Sequence, residues 1–305
     1  MAEDQGINGA IWNNEAAILL KRLGWEQVGD SEIDIPTDED KYRGIDRIFK
    51  YQDARRYGSR ESTVFLEAKR YNTTSFNSVK LLEEWLKTLN TKLTSTRNSL
   101  GLRELYPSLA DTVISSGLIV LWFADTALYP TFQVKFRGII EKAKLPNISH
   151  KDSPNRIYVI DNYDILRLAS MVLAIEEYNS KNDLTLEFYY PQSDYFKKPA
   201  SRNNVLTLDY MFSKAVLAEA IKDNKTHRVV FYFGSLNLKS FDRLRALLNH
   251  LQFIDKDKPL TIYRYKSDID FRKIESQVVG LFSGIEINIE SMELFSDLPK
   301  FMRLH

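Results

Sequence analysis

Gly44-Ile45-Asp46-Arg47-Ile48 and Val64-Phe65-Leu66-Glu67-Ala68-Lys69-Arg70-Tyr71 are the two runs on which the reading of this chain turns. The first is rich in β-forming residues, and the second is apolar enough to be a buried strand. Between them, Asp53-Ala54-Arg55-Arg56-Tyr57-Gly58-Ser59-Arg60 supplies a polar, Gly-containing turn, so the whole stretch predicts a hairpin. Strand periodicity sends Glu67 and Lys69 out of one face and Val64, Leu66 and Ala68 out of the other. A carboxylate and an ammonium then stand side by side. With Asp46 on the neighbouring strand, a second carboxylate comes close to Glu67, and two such groups repel unless a proton or a cation relieves them. A divalent metal would do so.

Around this hairpin the chain has 305 residues, 44% of them hydrophobic, which exceeds the size at which one core usually keeps growing and predicts two domains. Lys and Arg number 42 against 41 Asp and Glu, for a formal charge of +1, so no global basic excess marks a nucleic-acid binder. The absence of cysteine excludes disulfides, thiolate zinc sites and a cysteine nucleophile, and leaves oxygen or histidine to hold any metal. No basic segment precedes an apolar run at the start of the chain, and no stretch approaches the roughly 18 apolar residues that cross a bilayer. We expect a cytoplasmic protein with no membrane partner.

In residues 9–25, Ile11, Trp12, Ala16, Leu19, Leu20 and Leu23 recur at helical spacing, with Gly24 as the stop. Glu15 lies one turn after Ile11 and one before Leu19, in or beside the apolar stripe. As a carboxylate near a helix start it is also favoured by the helix dipole alone. Residues 30–41 are acidic, contain Pro36 and read as a loop. After the hairpin, Asn72-Thr73-Thr74-Ser75 offers caps for a long helix through Val79, Leu82, Trp85, Leu86 and Leu89. Lys80, Lys87 and Lys92 are strung along it, either as a phosphate groove or, more commonly, as a solvated face. Gly117–Phe123 reads as a buried strand, 129–143 as a helix, 156–160 as a strand, 164–178 as a helix and 183–190 as a strand.

Pro191 to Asn204 is polar, holds two prolines and lacks periodicity, which makes it the predicted linker between a domain at 1–190 and another at 205–305. Beyond it, strands are predicted at 205–210, 228–233, 260–265 and 285–289, with helices at 213–222, 239–253 and 271–282. Strand and helix in alternation predict a small parallel α/β domain. No Gly-rich phosphate loop follows its first strand, where Asp209 and its neighbours stand instead.

Glu15 on a first helix, Asp46 on a strand and Glu67-Ala68-Lys69 on the next resemble the PD-(D/E)XK nuclease superfamily, which includes restriction endonucleases and archaeal Holliday-junction resolvases. The helix ending in Gly24-Trp25 is similar to the opening of its resolvase and Mrr-like members. The resemblance covers about residues 7–125. It departs from the family pattern at Gly44-Ile45, which stand where the motif has its proline. The resemblance implies an α/β fold with a restriction-endonuclease-like mixed sheet flanked by helices. It also implies metal-dependent hydrolysis of phosphodiester bonds in DNA, with a role in anti-phage defence. In that reading Asp46, Glu67 and the Ala68 carbonyl hold Mg²⁺, with Mn²⁺ as the alternative ion. Glu15 holds a metal-bound water or a second ion, and Lys69 orients the attacking water or stabilises developing charge.

His150, His227, His250 and His305 are each read as surface residues with no part in this chemistry. A nuclease-like fold without activity, serving as a nucleic-acid-binding or assembly scaffold, is the alternative function. An α/β protein binding a nucleotide near Asp209 is a third. Residues 205–305 are expected to bind a protein partner, position substrate or mediate self-association.

Overall fold

The structure is a computed structural model that describes residues 7–37, 41–53, 61–76, 78–144, 155–192, 199–256, 258–266 and 271–304. Over those residues the chain forms two compact units, one from Met1–Gln52, Ser59–Ile165 and Ser296–His305, the other from Asp53–Gly58 and Leu166–Phe295. The expected boundary at 191–204 is thus not where the chain divides.

In the first unit, helix α1 (Ile7–Arg22) buries Trp12, Ala16, Leu19 and Leu20, with Leu23 just beyond it. It stops at Gly24, whose φ of 88° suits a residue without a Cβ, and strand β1 (Glu26–Val28) follows. Residues 30–41 are not simply a loop. They contribute β2 (Ile33–Pro36), which pairs antiparallel with β3 (Tyr42–Ile45), and the buried side chains Ile35 and Ile45 anchor this ribbon.

The predicted hairpin is β4 (Arg47–Gln52) antiparallel to β5 (Glu61–Tyr71), with Arg47 opposite Leu66. Of its predicted turn only Asp53 falls within the described residues. Strands β6 (Val113–Phe123) and β7 (Arg156–Ile160) add in parallel, giving a mixed sheet in the order β1-β4-β5-β6-β7. Helices α2 (Val79–Thr96) and α3 (Leu100–Leu105) lie in the crossover from β5 to β6, and α4 (Tyr129–Lys142) in the next. The cap of α2 is Ser78, whose Oγ accepts from the Lys80 N–H at 3.1 Å, rather than any of residues 72–75.

Leu82, Leu86, Leu89 and Leu93 of α2 pack on the same core as Phe65, Ile119, Leu121 and Phe123 of the sheet. Gly117 lets them approach: a Cβ there would lie 2.7 Å from Leu89 Cδ2 and 3.2 Å from Leu93 Cδ1. The Trp12 indole of α1 donates to the Val120 carbonyl at 3.1 Å and packs against Trp122. Trp122 alternates with Leu121 and Phe123, so α1 and α2 lie on opposite faces of the sheet.

Helix α5 (Asn162–Asn182) opens on Asn162, whose amide receives the Phe123 N–H at 2.7 Å and donates to the Phe123 carbonyl at 2.9 Å. The division between the units falls within this helix. The second unit has a sheet in the order β13-β12-β11-β10-β8-β9. Its strands β8 (Glu187–Tyr190) and β9 (Ser201–Asn203) take in residues assigned by sequence to the first domain and the linker. Residues 205–210, predicted as a strand, are not one, and a 3₁₀ turn at Tyr210–Phe212 follows.

The predicted helix at 213–222 is instead β10 (Ala215–Lys222), a central strand between β8 and β11 (Lys225–Tyr232). Pairing on both edges overrides the helical propensity of Ala-Val-Leu-Ala-Glu-Ala. Helix α6 (Leu238–His250), β12 (Leu260–Arg264), α7 (Phe271–Leu281) and β13 (Ile287–Ser291) complete the unit, and β11, β12 and β13 are parallel as predicted. His250 is exposed, but His227 is partly buried, with Nδ1 3.2 Å from the Tyr178 hydroxyl.

Candidate active site

The chemistry concentrates where β4 stops pairing with β5. Asp46 sits between β3 and β4, outside both ladders, and its backbone carbonyl accepts from the Glu32 N–H at 2.9 Å. The last β4–β5 pair is Arg47 with Leu66. Beyond it the edge of β5 is open, and the Ala68 N–H that a further strand would have received donates instead to Asp46 Oδ2 at 2.7 Å. A residue's carbonyl leaves a strand on the same edge as its N–H, so the Ala68 oxygen opens toward Asp46 as well.

Glu67 and Lys69 project from the α2 face, as the alternation with Phe65 and Tyr71 requires. Glu67 is 7% exposed, and its Oε2 lies 3.4 Å from Lys69 Nζ. Its other oxygen, Oε1, is held by Lys92 Nζ of α2 at 2.5 Å. The site therefore brings Asp46, Glu67, Lys69 and Lys92 together.

Burial raises the Asp46 carboxyl to about 6, the Glu67 charge pushes in the same direction, and Lys69, the Ala68 N–H and Lys92 oppose them. Two carboxylates near enough for that effect repel each other, and the two lysines offset the repulsion. Among the described residues no three or more His, Asp or Glu side chains converge as a ready ligand set. The oxygens at hand to hold a metal here would be those of Asp46, Glu67 and the Ala68 carbonyl, a donor set of the kind a hard ion such as Mg²⁺ takes.

A family model described as the GAPS4 protein PD-(D/E)XK nuclease domain matches residues 1–164, more than half of the chain. The chain belongs to this family. No curated protein and no solved structure matches it. The match covers the whole mixed sheet and the site just described, so the nuclease-like fold expected from the sequence is the fold of this PD-(D/E)XK domain.

The structure does not bring Glu15 into the cluster. Glu15 is 6% exposed on α1, and burial raises its pKa. The Leu304 backbone N–H, Arg70 and Arg303 oppose that rise, while Asp297 adds to it. Arg70 alternates with Lys69 and leaves β5 on the other face, so Glu15 has its neighbours across the sheet from Glu67.

Two residues of the PD-(D/E)XK domain were not singled out by sequence. Arg47, 4% exposed, donates to the Asn13 carbonyl, to Asn13 Oδ1 at 2.9 Å, to Gln27 Oε1 at 2.8 Å and to Asn14 Oδ1. It ties α1 and β1 to the residue next to Asp46. Its only sequence signal is its place beside Asp46 in an otherwise apolar run. Lys92 is one of three lysines for which the sequence offers a phosphate groove or a solvated face, and Lys80 and Lys87 are exposed while Lys92 is half-buried. Lys92 stands between Leu89 and Leu93, at the margin of the buried stripe, and that spacing was the available signal.

Proposed function

We propose that the PD-(D/E)XK domain hydrolyses phosphodiester bonds in DNA with a divalent metal, Mg²⁺ or Mn²⁺, held by Asp46, Glu67 and the Ala68 carbonyl. The observation that carries this reading is the pairing of Asp46 with Glu67 at the opened edge of β5, with two ammonium groups on Glu67. The metal would supply a water of lowered pKa and neutralise charge on the attacked phosphate. Asp46 Oδ2 accepts from the Ala68 N–H at 2.7 Å, which fixes the carboxylate that would help to hold the ion. Lys69, 16% exposed at its side chain and beside Glu67, would orient the attacking water or meet charge developing on the phosphate oxygens. Arg47 keeps Asp46 in register with β5.

Cleavage of plasmid, linear DNA and RNA, with and without Mg²⁺ or Mn²⁺, tests this. The wild-type chain should cleave DNA only with the metal, and Asp46→Ala and Glu67→Ala should each abolish cleavage in a folded protein. Activity surviving either change, or independent of metal, sinks the assignment. A scaffold that binds nucleic acid without cutting it is the second reading, and the engagement of both Glu67 oxygens by lysines is what favours it. Binding of DNA without cleavage under every metal tried would decide for it.

For the family's role we propose anti-phage defence, as the sequence resemblance implies. For the second unit we propose recognition of a protein partner or self-association, supported by its separate core around Val230, Phe241, Ile262 and Phe282.

A further inference from the structure

Lys92 is the closest partner of Glu67, and its environment is built rather than incidental. Its side chain is 15% exposed against 9% for Glu67, so the pair interacts with much less screening than a surface pair. Leu89 and Leu93, both fully buried, flank it and seat α2 over Gly117, which is paired with Phe65 two residues before Glu67. Lys80 and Lys87 of the same helix are exposed. Lys69 takes the other oxygen of Glu67. With Asp46 ionised, two carboxylates face two ammonium groups, and the cluster is neutral without a metal. A divalent ion would add two uncompensated charges to it, whereas a nucleic-acid phosphate would supply negative charge and accept an ammonium.

We propose that Lys92 is a positioning residue that occupies Glu67 until substrate arrives: the ion displaces its ammonium from Glu67, the phosphate receives it, and metal and nucleic acid therefore bind cooperatively. This rests on reading the site as a metal-dependent nuclease. Lys92 thus opposes metal binding in the free protein and favours it in the complex. By linkage, the metal strengthens nucleic-acid binding by the same factor that nucleic acid strengthens metal binding.

Calorimetric titration of the full chain with Ca²⁺, alone and with a short DNA duplex, tests this without depending on turnover. In the wild type the duplex should tighten Ca²⁺ binding on the order of tenfold. Lys92→Met should bind Ca²⁺ more tightly than wild type in the absence of DNA, lose most of the coupling and, with Mg²⁺, cleave more slowly. Lys92→Arg should keep the coupling, and Lys87→Met should match wild type. A residue that merely supports the fold would weaken metal binding when removed, so unchanged or weaker Ca²⁺ binding by folded Lys92→Met overturns the proposal. Should that variant not fold, wild type decides alone, because equal Ca²⁺ affinity with and without the duplex overturns it too. A wild type that binds no Ca²⁺, Mg²⁺ or Mn²⁺ under either condition removes the metal-dependent reading itself, and this inference falls with it.

Discussion

At the scale of single residues, Asp46 makes the site sensitive to pH before any metal binds. Its folded pKa of about 6 lies above the ordinary 3.8, so its contribution to stability is full below about pH 4 and is lost as pH rises through 6. Metal-free protein should therefore lose roughly 2–3 kcal/mol of stability over that window through this one group. Denaturant melts of Asp46→Asn should lack that component, and an equal slope in both proteins would show that Asp46 does not carry it. Lys69→Ala should lower turnover far more than metal affinity if, as proposed, its ammonium serves the water or phosphate. Calorimetry showing metal binding abolished would make its role structural. The shared face of Glu67 and Lys69 was legible because alternation on an apolar strand leaves few places for charge, whereas Asp46, expected on a strand, lies in the bend between β3 and β4. Lys92 and Arg47 were not, since whether a long cation lies outward or turns inward depends on what packs beside it.

Among the elements, α2 sets the site through its closeness to the sheet. A Cβ at residue 117 would meet Leu89 Cγ at 2.8 Å, and Leu89 is fully buried with little room to yield. Gly117→Ala should destabilise the first unit by about 1–3 kcal/mol and, by moving α2, separate Lys92 from Glu67. Thermal melts read the first effect, and the metal–DNA coupling should fall as in Lys92→Met; a melt at the wild-type temperature with coupling intact would contradict the packing argument. The hairpin of β4 and β5, with α1, α2 and α4, was readable because periodicity and local propensity agree there. β10 was not, because its alanines and Leu217 favour helix while its turn does not. Asp223 and Asn224 at φ of 50° and 60° close a two-residue turn onto β11, and a tight left-handed turn was the signal available in Asp-Asn. Asp223→Val should cost about 1–2 kcal/mol, measurable by denaturant unfolding followed in the second unit.

Over the whole molecule, the sequence anticipated two α/β units but not how the chain is shared between them. Nothing in the pattern of residues 296–304 announces a return to the first unit, since pairing across so long an intervening stretch leaves no local periodicity. Yet Met302 is fully buried, Phe301 lies under the Arg22 guanidinium at 4.4 Å, and Leu304 bonds to the Glu15 carboxyl. Met302→Ala should destabilise the first unit by about 2–5 kcal/mol, and hydrogen exchange should show it as earlier opening of α1. Unchanged protection of α1 would mean that this segment is not part of its core. A chain cut after residue 190 would leave β8 without β10 and α1 without this segment, so a fair test of the second unit must keep both. The arrangement also sets an order of events during synthesis. A ribosome must deliver the entire second unit before residues 296–304 emerge, so the nuclease fold is finished last, and a truncated or still-tethered chain carries Asp46, Glu67 and Lys69 on a scaffold that is not yet closed.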